Sequence, residues 1–357
     1  MPRQLSYANA ILEATDQAMS LCRDVVVLGQ LVDTKAGIFG TTTGLVDKYG
    51  PERVQDFPVS ENLMTATAMG ASLAGLRPLI THQRLDFMMY SLDAIVNWLA
   101  LWRFKSNGKS AMRVTIRTIV GKGWGQGPQH SKSLHSWFGH LPGLRVAMPA
   151  TAYDAKGLLL ESLFGETPTL FVEGRGLYSM TDYVPEESYR IRFGRAVVRK
   201  AGRDVTMVAL GMMVPLALKA AAILEAEGIL VEIIDPRTIS PLDRKTICDS
   251  AGRTGRLLVA DPGWRSFGAA AEIVSSVAET VGEKLRAKPV RITFPDSHTP
   301  MSASLEREYY PDEGDLVRAI RGLLSRDSVT ATNHSSMQSS GVHNDLASRG
   351  VGKGESQ

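Results

Sequence analysis

Two cysteines in 357 residues, Cys22 and Cys248, are too few and too far apart for a disulfide framework. Each stands beside an apolar neighbour, which fits a reduced, cytoplasmic interior. No apolar run approaches the roughly 18 residues that a membrane helix needs. The first twenty residues lack the basic head and apolar stretch of a secretory signal. Charge of one sign is also missing: 40 basic side chains stand against 37 acidic ones, for a formal net charge of +3. Basic residues such as Arg145, Arg190 and Arg265 are scattered along the chain, so neither a nucleic-acid partner nor a membrane surface is expected. No internal repeat stands out beyond a general alternation of short apolar runs and helical stretches.

What is present is a 44% hydrophobic chain, enough for a large core and, at this length, for two domains with a tail. The spacing predicts a helix over 7–19, a buried strand at 25–28, a helix over 61–73, a strand at 78–81 and a long helix over 87–104. Strands at 113–119, 144–148 and 169–172 follow, with a helix over 153–163. Strands alternating with helices imply a mostly parallel sheet covered on both faces, a three-layer α/β domain over 1–180. An irregular polar linker is placed at 181–195. A second strand-helix series, with strands near 205–210, 230–234, 257–260 and 290–294, defines a smaller α/β domain over 196–325. Residues 326–357 are rich in Ser, Asn and Gly with no apolar period, and read as a disordered tail.

Three segments carry residues suited to chemistry. Phe57-Pro58-Val59-Ser60-Glu61 sets a carboxylate at the opening of a helix, with Ser60 as its expected cap. Glu61 either complements the helix dipole or serves as a buried acid that exchanges a proton with a ligand ring. The run Gly121-Lys122-Gly123-Trp124-Gly125-Gln126-Gly127 follows a strand and leads to His130. Its spacing matches neither a dinucleotide fingerprint nor a Walker loop, yet so many glycines permit close backbone approach where open α/β sheets place ligands. His130, His135 and His140 lack the i, i+4 spacing of helical metal ligands, and no cysteine joins them. His130 is then a structural residue or an acid-base group. In the third segment Asp86-Phe87 leads into Asp93-Ala94-Ile95-Val96-Asn97-Trp98, where an aromatic ring could flank a flat heterocycle or, with Trp98 and Trp102, face a partner.

Taken in order, several motifs give the chain its resemblance: Ser60-Glu61, Asp93 to Asn97, Gln129-His130-Ser131-Lys132-Ser133, Gly139-His140-Leu141-Pro142-Gly143-Leu144, Tyr153 to Leu158, and Asp235 to Asp243. Together they resemble the beta subunit of the thiamine diphosphate-dependent 2-oxo acid dehydrogenases of the pyruvate and branched-chain type, within the transketolase-like superfamily, over residues 7–324. The resemblance implies a pyrimidine-binding domain followed by a transketolase carboxyl-terminal-like domain. It implies that Glu61 hydrogen-bonds the aminopyrimidine of the cofactor and sets up the base that deprotonates the thiazolium carbon. It implies that Phe87 packs near that ring and that His130 assists acyl transfer to a lipoyl group.

Three departures modify the expectation. Asn62-Leu63-Met64-Thr65 replaces the family's glycine and aromatic after the glutamate, which would set the ring against Thr65 or Met64. Gly165-Glu166-Thr167-Pro168 replaces the Asp and Asn of the usual potassium loop, which makes that cation doubtful and leaves only main-chain ligands for it. Lys132 replaces a glutamine, adding a positive charge near the expected substrate entrance, suited to an acidic or phosphorylated acceptor. No Gly-Asp-Gly motif occurs anywhere in the chain. The resemblance therefore assigns magnesium and the diphosphate to an alpha-type subunit in an α2β2 assembly that docks to a lipoyl acyltransferase. The alternatives are half of a split transketolase or acyloin-forming ligase, and a non-catalytic assembly subunit.

Overall fold

The computed structural model describes residues 3–121 and 125–337, so Lys122, Gly123 and Trp124 of the glycine-rich run, and the expected tail from 338 onward, lie outside the described residues. Its main feature is a seven-stranded sheet in the order β12-β6-β7-β5-β4-β2-β3. These strands are β2 (Val25–Gly29), β3 (Val54–Asp56), β4 (Arg77–His82), β5 (Thr115–Val120), β6 (Arg145–Ala147), β7 (Thr169–Gly174) and β12 (Thr238–Ser240). All pairings are parallel except that of β12 with β6. The runs Val-Val-Val-Leu-Gly in β2 and Thr-Ile-Arg-Thr-Ile-Val in β5 are buried at every position, as central strands covered on both faces must be.

Helix α1 (Tyr7–Leu21) starts where the Ser6 hydroxyl accepts from the Asn9 amide, and α3 (Ala152–Phe164) starts where Thr151 does the same for Asp154. The two pack against each other on one face of the sheet. Helix α2 (Glu61–Leu73) lies over β4 on the other side of the strand connections. A second sheet, β14-β13-β10-β11-β9, is built from β9 (Val197–Lys200), β10 (Val205–Ala209), β11 (Val231–Asp235), β13 (Leu257–Trp264) and β14 (Val290–Phe294). Helices α4 (Met213–Glu225), α5 (Arg244–Thr254), α6 (Ala269–Val281) and α7 (Glu313–Met337) flank it.

Four differences from the expected elements have physical reasons. The 87–104 helix is instead a series of short pieces: Leu85–Met88, a 3-10 turn at Met89–Ser91, a wide π-type stretch at Asp93–Leu99, and Trp102–Lys105. Each i→i+5 turn, such as Ala100 N to Ile95 O at 2.9 Å, inserts one residue that apolar spacing does not register. Within it Trp102 is partly buried and bonded to Ser110 Oγ at 2.6 Å, so of the two tryptophans only Trp98, 40% exposed, faces outward. The interval expected as linker contains β8 (Thr181–Tyr183), which pairs antiparallel with β1 (Gln4–Ser6); strands of three residues are too short to announce themselves. Helix α7 continues to Met337, past the expected end of order at 325, because residues 326–337 contain neither Gly nor Pro to stop it.

The fourth difference is β12. It follows β11 of the second sheet but joins the edge of the first, with Thr238 opposite Ala147 and Ser240 opposite Val146. The two halves are thus stitched together by backbone pairing. Ionic contacts reinforce it: Arg199 binds Asp154 and lies 2.8 Å from Asp235, Arg237 lies 3.2 Å from Asp154, and the buried His135 bonds Asp261 at 2.9 Å. The expected turn from Asp235 to Asp243 ends with Asp243 capping α5 through the Thr246 amide at 3.1 Å.

Candidate active site

Because the central strands are parallel, their carboxyl ends share one rim of the sheet, the position at which open α/β sheets collect ligands. β2 leads to Gln30 and the loop bearing Phe39, and β3 leads to Glu61. β4 leads to Arg84, Asp86 and Phe87, β5 to Gly121 and His130, and β7 to Arg175. Residues far apart in sequence meet there for a topological reason.

Phe87 and His130 are in edge-to-face contact, with ring centroids 5.2 Å apart and planes at 82°. Both are half-buried, and His130 Nδ1 is buried without a hydrogen-bond partner among the described residues. Glu61 opens α2 and is half-buried; among the described residues nothing donates to its carboxylate. Ser60 does not cap the helix through its side chain as expected; its backbone, at φ −153° and ψ 85°, turns away from the cap geometry. Met64 and Thr65, expected to touch a bound ring, are both fully buried. They face inward because α2 packs on β4 and on the 85–99 segment, so they back the wall of the site and do not line it. The outer positions of the helix are Asn62, Leu63, Ala66 and Thr67.

Thr65 Oγ1 sits 3.3 Å from His82 Nε2 and 3.0 Å from Ser91 Oγ. Burial lowers the His82 pKa to about 3, so its imidazole is neutral when folded. The unfolded chain therefore takes up a proton below about pH 6.5 that the folded chain refuses. Stability contributed by neutral His82 is complete above that pH and is lost as pH falls toward 3. His82→Phe is expected to flatten the decline in melting temperature between pH 6.5 and 4; an unchanged slope would place the acid sensitivity elsewhere.

Lys132 does not project as a free charge at the entrance, as its sequence position suggested. Its Nζ lies 3.1 Å, and its amide 3.3 Å, from Asp86 Oδ1, so the charge is spent on an ion pair. Burial raises the Asp86 pKa against the opposing pull of Lys132. Arg84 was not singled out in the sequence, and nothing in local spacing would have marked it. It is 4% exposed; its Nη2 donates to Gln126 Oε1 at 2.7 Å, while Nη1 is buried without a partner. Burial lowers its pKa, although a guanidinium stays charged.

Below this rim Arg117 and Glu173, both fully buried, form a bidentate pair at 2.5 and 2.9 Å. Arg117 also donates to Thr41 Oγ1 at 2.8 Å, tying down the loop that bears Phe39, and the Tyr178 hydroxyl donates to Glu173. The glycines before His130 have a concrete use. Gly127 has φ +65°, and a Cβ there would lie 2.4 Å from Met301 Cγ of the second half, so the loop is pressed beneath that side chain.

The residues present do not fit a monovalent cation at the Gly165–Pro168 turn. Arg77 donates to the carbonyls of Leu163 and Gly165 at 3.1 and 3.0 Å, and Arg77 and Arg113 both bond Glu166. No group of three metal-ligating side chains occurs among the described residues. Among them, too, no helix is long and apolar enough to cross a membrane.

A parallel α/β sheet with a ligand rim, followed by a second α/β half clasped to it, defines the transketolase type. Residues 3–181 match the transketolase pyrimidine-binding domain, and residues 194–316 match the transketolase C-terminal domain. The chain is 39% identical over 331 residues to acetoin:2,6-dichlorophenolindophenol oxidoreductase subunit beta of Cupriavidus necator, covering 90% of this chain and 98% of that one. It is 38% identical over 328 residues to the mitochondrial pyruvate dehydrogenase E1 component subunit beta of Pisum sativum, covering 91% of each. A solved structure described as a split gene transketolase, inactive beta4 tetramer, superposes with a TM-score of 0.73 at 25% identity, covering 90% of this chain and 98% of that one. The chain belongs to the transketolase-like family of E1 beta subunits found in pyruvate and acetoin dehydrogenase complexes.

Proposed function

We propose that this chain is the beta subunit of a cytoplasmic, α2β2 thiamine diphosphate-dependent 2-oxo acid dehydrogenase, which decarboxylates a 2-oxo acid and passes the acyl group to lipoamide on an acyltransferase. The observation that carries the reading is a half-built site: a carboxylate at Glu61 to which nothing donates among the described residues, and the Phe87–His130 pair, on the rim of a chain that lacks a Gly-Asp-Gly motif. Exposed Leu31, Phe39, Val59 and Leu63 all belong to segments leaving that rim. Such a surface suits a partner that closes it, here an alpha subunit that supplies the magnesium and diphosphate contacts.

Glu61 and Phe87 would hold the aminopyrimidine, with Met64 and Thr65 stiffening the wall behind. A thiamine diphosphate held there would supply nucleophilic addition to the oxo group and a sink for the electrons released on decarboxylation. Glu61 would share a proton with a ring nitrogen, and desolvation by the alpha subunit would strengthen that bond. Phe87 excludes water and orients the His130 ring. His130 Nδ1, without a hydrogen-bond partner among the described residues, would hold or move a proton at the reacting oxygen.

The test is reconstitution with the candidate alpha subunit, thiamine diphosphate and magnesium, following dye reduction with pyruvate, branched-chain 2-oxo acids and acetoin. Dye reduction by a 2-oxo acid that also loads a lipoyl domain is expected. Carbon-carbon bond transfer without dye reduction would replace this reading with the transketolase or ligase one. A pair that binds no cofactor would leave an assembly role.

A further inference from the structure

Arg84 is the one guanidinium on the ligand rim, among the described residues, that is more than nine-tenths buried and carries a nitrogen with no acceptor. Its position is fixed from several sides. Nη2 is held by the neutral amide oxygen of Gln126 at 2.7 Å, and the guanidinium carbon lies 5.5 Å from the centre of the Phe39 ring. A second cation, Arg175, lies 4.6 Å from the same ring. A Cβ on Gly121 would lie 3.8 Å from Arg84 Cζ and 2.7 Å from the His130 carbonyl, so this charge adjoins the backbone of the candidate catalytic histidine. Its own carbonyl accepts the amides of Phe87 and Met88, so the residue also starts the turn that carries Phe87.

The nearest acid in sequence gives it no hydrogen bond: Asp86 lends one oxygen to Lys132, leaves the other without a partner among the described residues, and acts on Arg84 only through space, so one carboxylate is shared between two cations. A buried cation with an unfilled donor is costly unless an anion completes it. Among the described residues no carboxylate is hydrogen-bonded to Nη1, which leaves a place for an anion at this position.

We propose that Arg84 is a specificity-determining residue that binds an anionic group on the substrate, and that the preferred substrate is a 2-oxo acid with a second carboxylate distal to the bond that breaks. The assignment rests on the decarboxylase reading above. The departing carboxylate is the poorer occupant: a cation held against it would stabilise the starting acid more than the transition state, in which that charge is dispersing, and would slow the reaction. A distal carboxylate keeps its charge throughout, so the bond to Arg84 helps binding at every stage.

The test compares kcat/KM of the reconstituted complex for 2-oxoglutarate, 2-oxoadipate, pyruvate and acetoin, in wild type, R84Q and R84K. The wild type is expected to prefer a dicarboxylic acid over pyruvate. R84Q should lower kcat/KM for that acid by roughly 10- to 100-fold more than for pyruvate, the weight of one charge-assisted hydrogen bond, with R84K between. Binding of glutarate, an unreactive probe, is measured by calorimetry on the same complexes, and should weaken by a similar factor in R84Q. Equal losses on all substrates, or glutarate binding that ignores the substitution, would overturn the role of Arg84. Disruption of the complex by R84Q and R84K alike would overturn it too, showing that a partner carboxylate fills the site. Failure of the underlying reading has a separate signature, the absence of cofactor-dependent turnover with every substrate, and the glutarate measurement still decides whether Arg84 binds a carboxylate.

Discussion

Glu61→Gln in the assembled enzyme is expected to lower thiamine diphosphate-dependent turnover by roughly 10²- to 10⁴-fold, the range of a lost general acid-base contribution. Gln keeps the size and one acceptor oxygen but cannot exchange a proton with a ring nitrogen. Little else should change, since among the described residues nothing donates to the Glu61 carboxylate and its helix is held by buried Met64, Thr65, Ala68 and Met69. Sedimentation should therefore report the same assembly with the alpha subunit, and the melting temperature of the isolated chain should move little. Unchanged turnover would remove Glu61 from the chemistry and leave it a helix-opening acid.

The second large effect concerns stability. Arg117→Met strands Glu173 in a fully buried position, and breaking such a pair costs on the order of 3–5 kcal/mol. Burial alone would weaken the protonation of Arg117, and the carboxylate of Glu173 more than compensates. Adding Glu173→Gln to Arg117→Met removes the stranded charge while leaving an acceptor for Tyr178, so the double variant should recover part of the loss in urea unfolding. Strictly additive single effects would mean that the two side chains do not act as a pair. Arg117 also anchors Thr41, so the Arg117 variant should loosen the loop carrying Phe39 and weaken cofactor-dependent activity as well.

The sequence showed the alternating rhythm of the first sheet because buried parallel strands are apolar at consecutive positions, as in Val25 to Leu28. Glu61, Phe87 and His130 were suggested by motifs each weak alone, and the fold places all three along one rim, with Phe87 and His130 in contact. The sequence misjudged Met64 and Thr65, because adjacency to Glu61 along a helix does not imply the same face; only packing against β4 and Ser91 decides which residues turn inward. Lys132 was misjudged for a related reason, since its partner Asp86 is 46 residues away in sequence. Arg84 carried no signal at all. Its meaning depends on which described residues surround it in space, and its contacts Gln126 and Phe39 lie more than forty residues away in sequence.

The antiparallel strand that the second half lends to the first has a consequence for dissection. A fragment ending in the 181–195 interval would keep every residue of the proposed pyrimidine pocket yet expose β6 as a bare edge, with the unpaired amides and carbonyls that invite other chains to add on. Such a piece should be sticky, not merely weak. The two halves should then fold as one unit, and a chimera carrying a relative's counterpart is expected to need the three-residue clasp from Thr238 to Ser240 matched to β6 of the half that receives it.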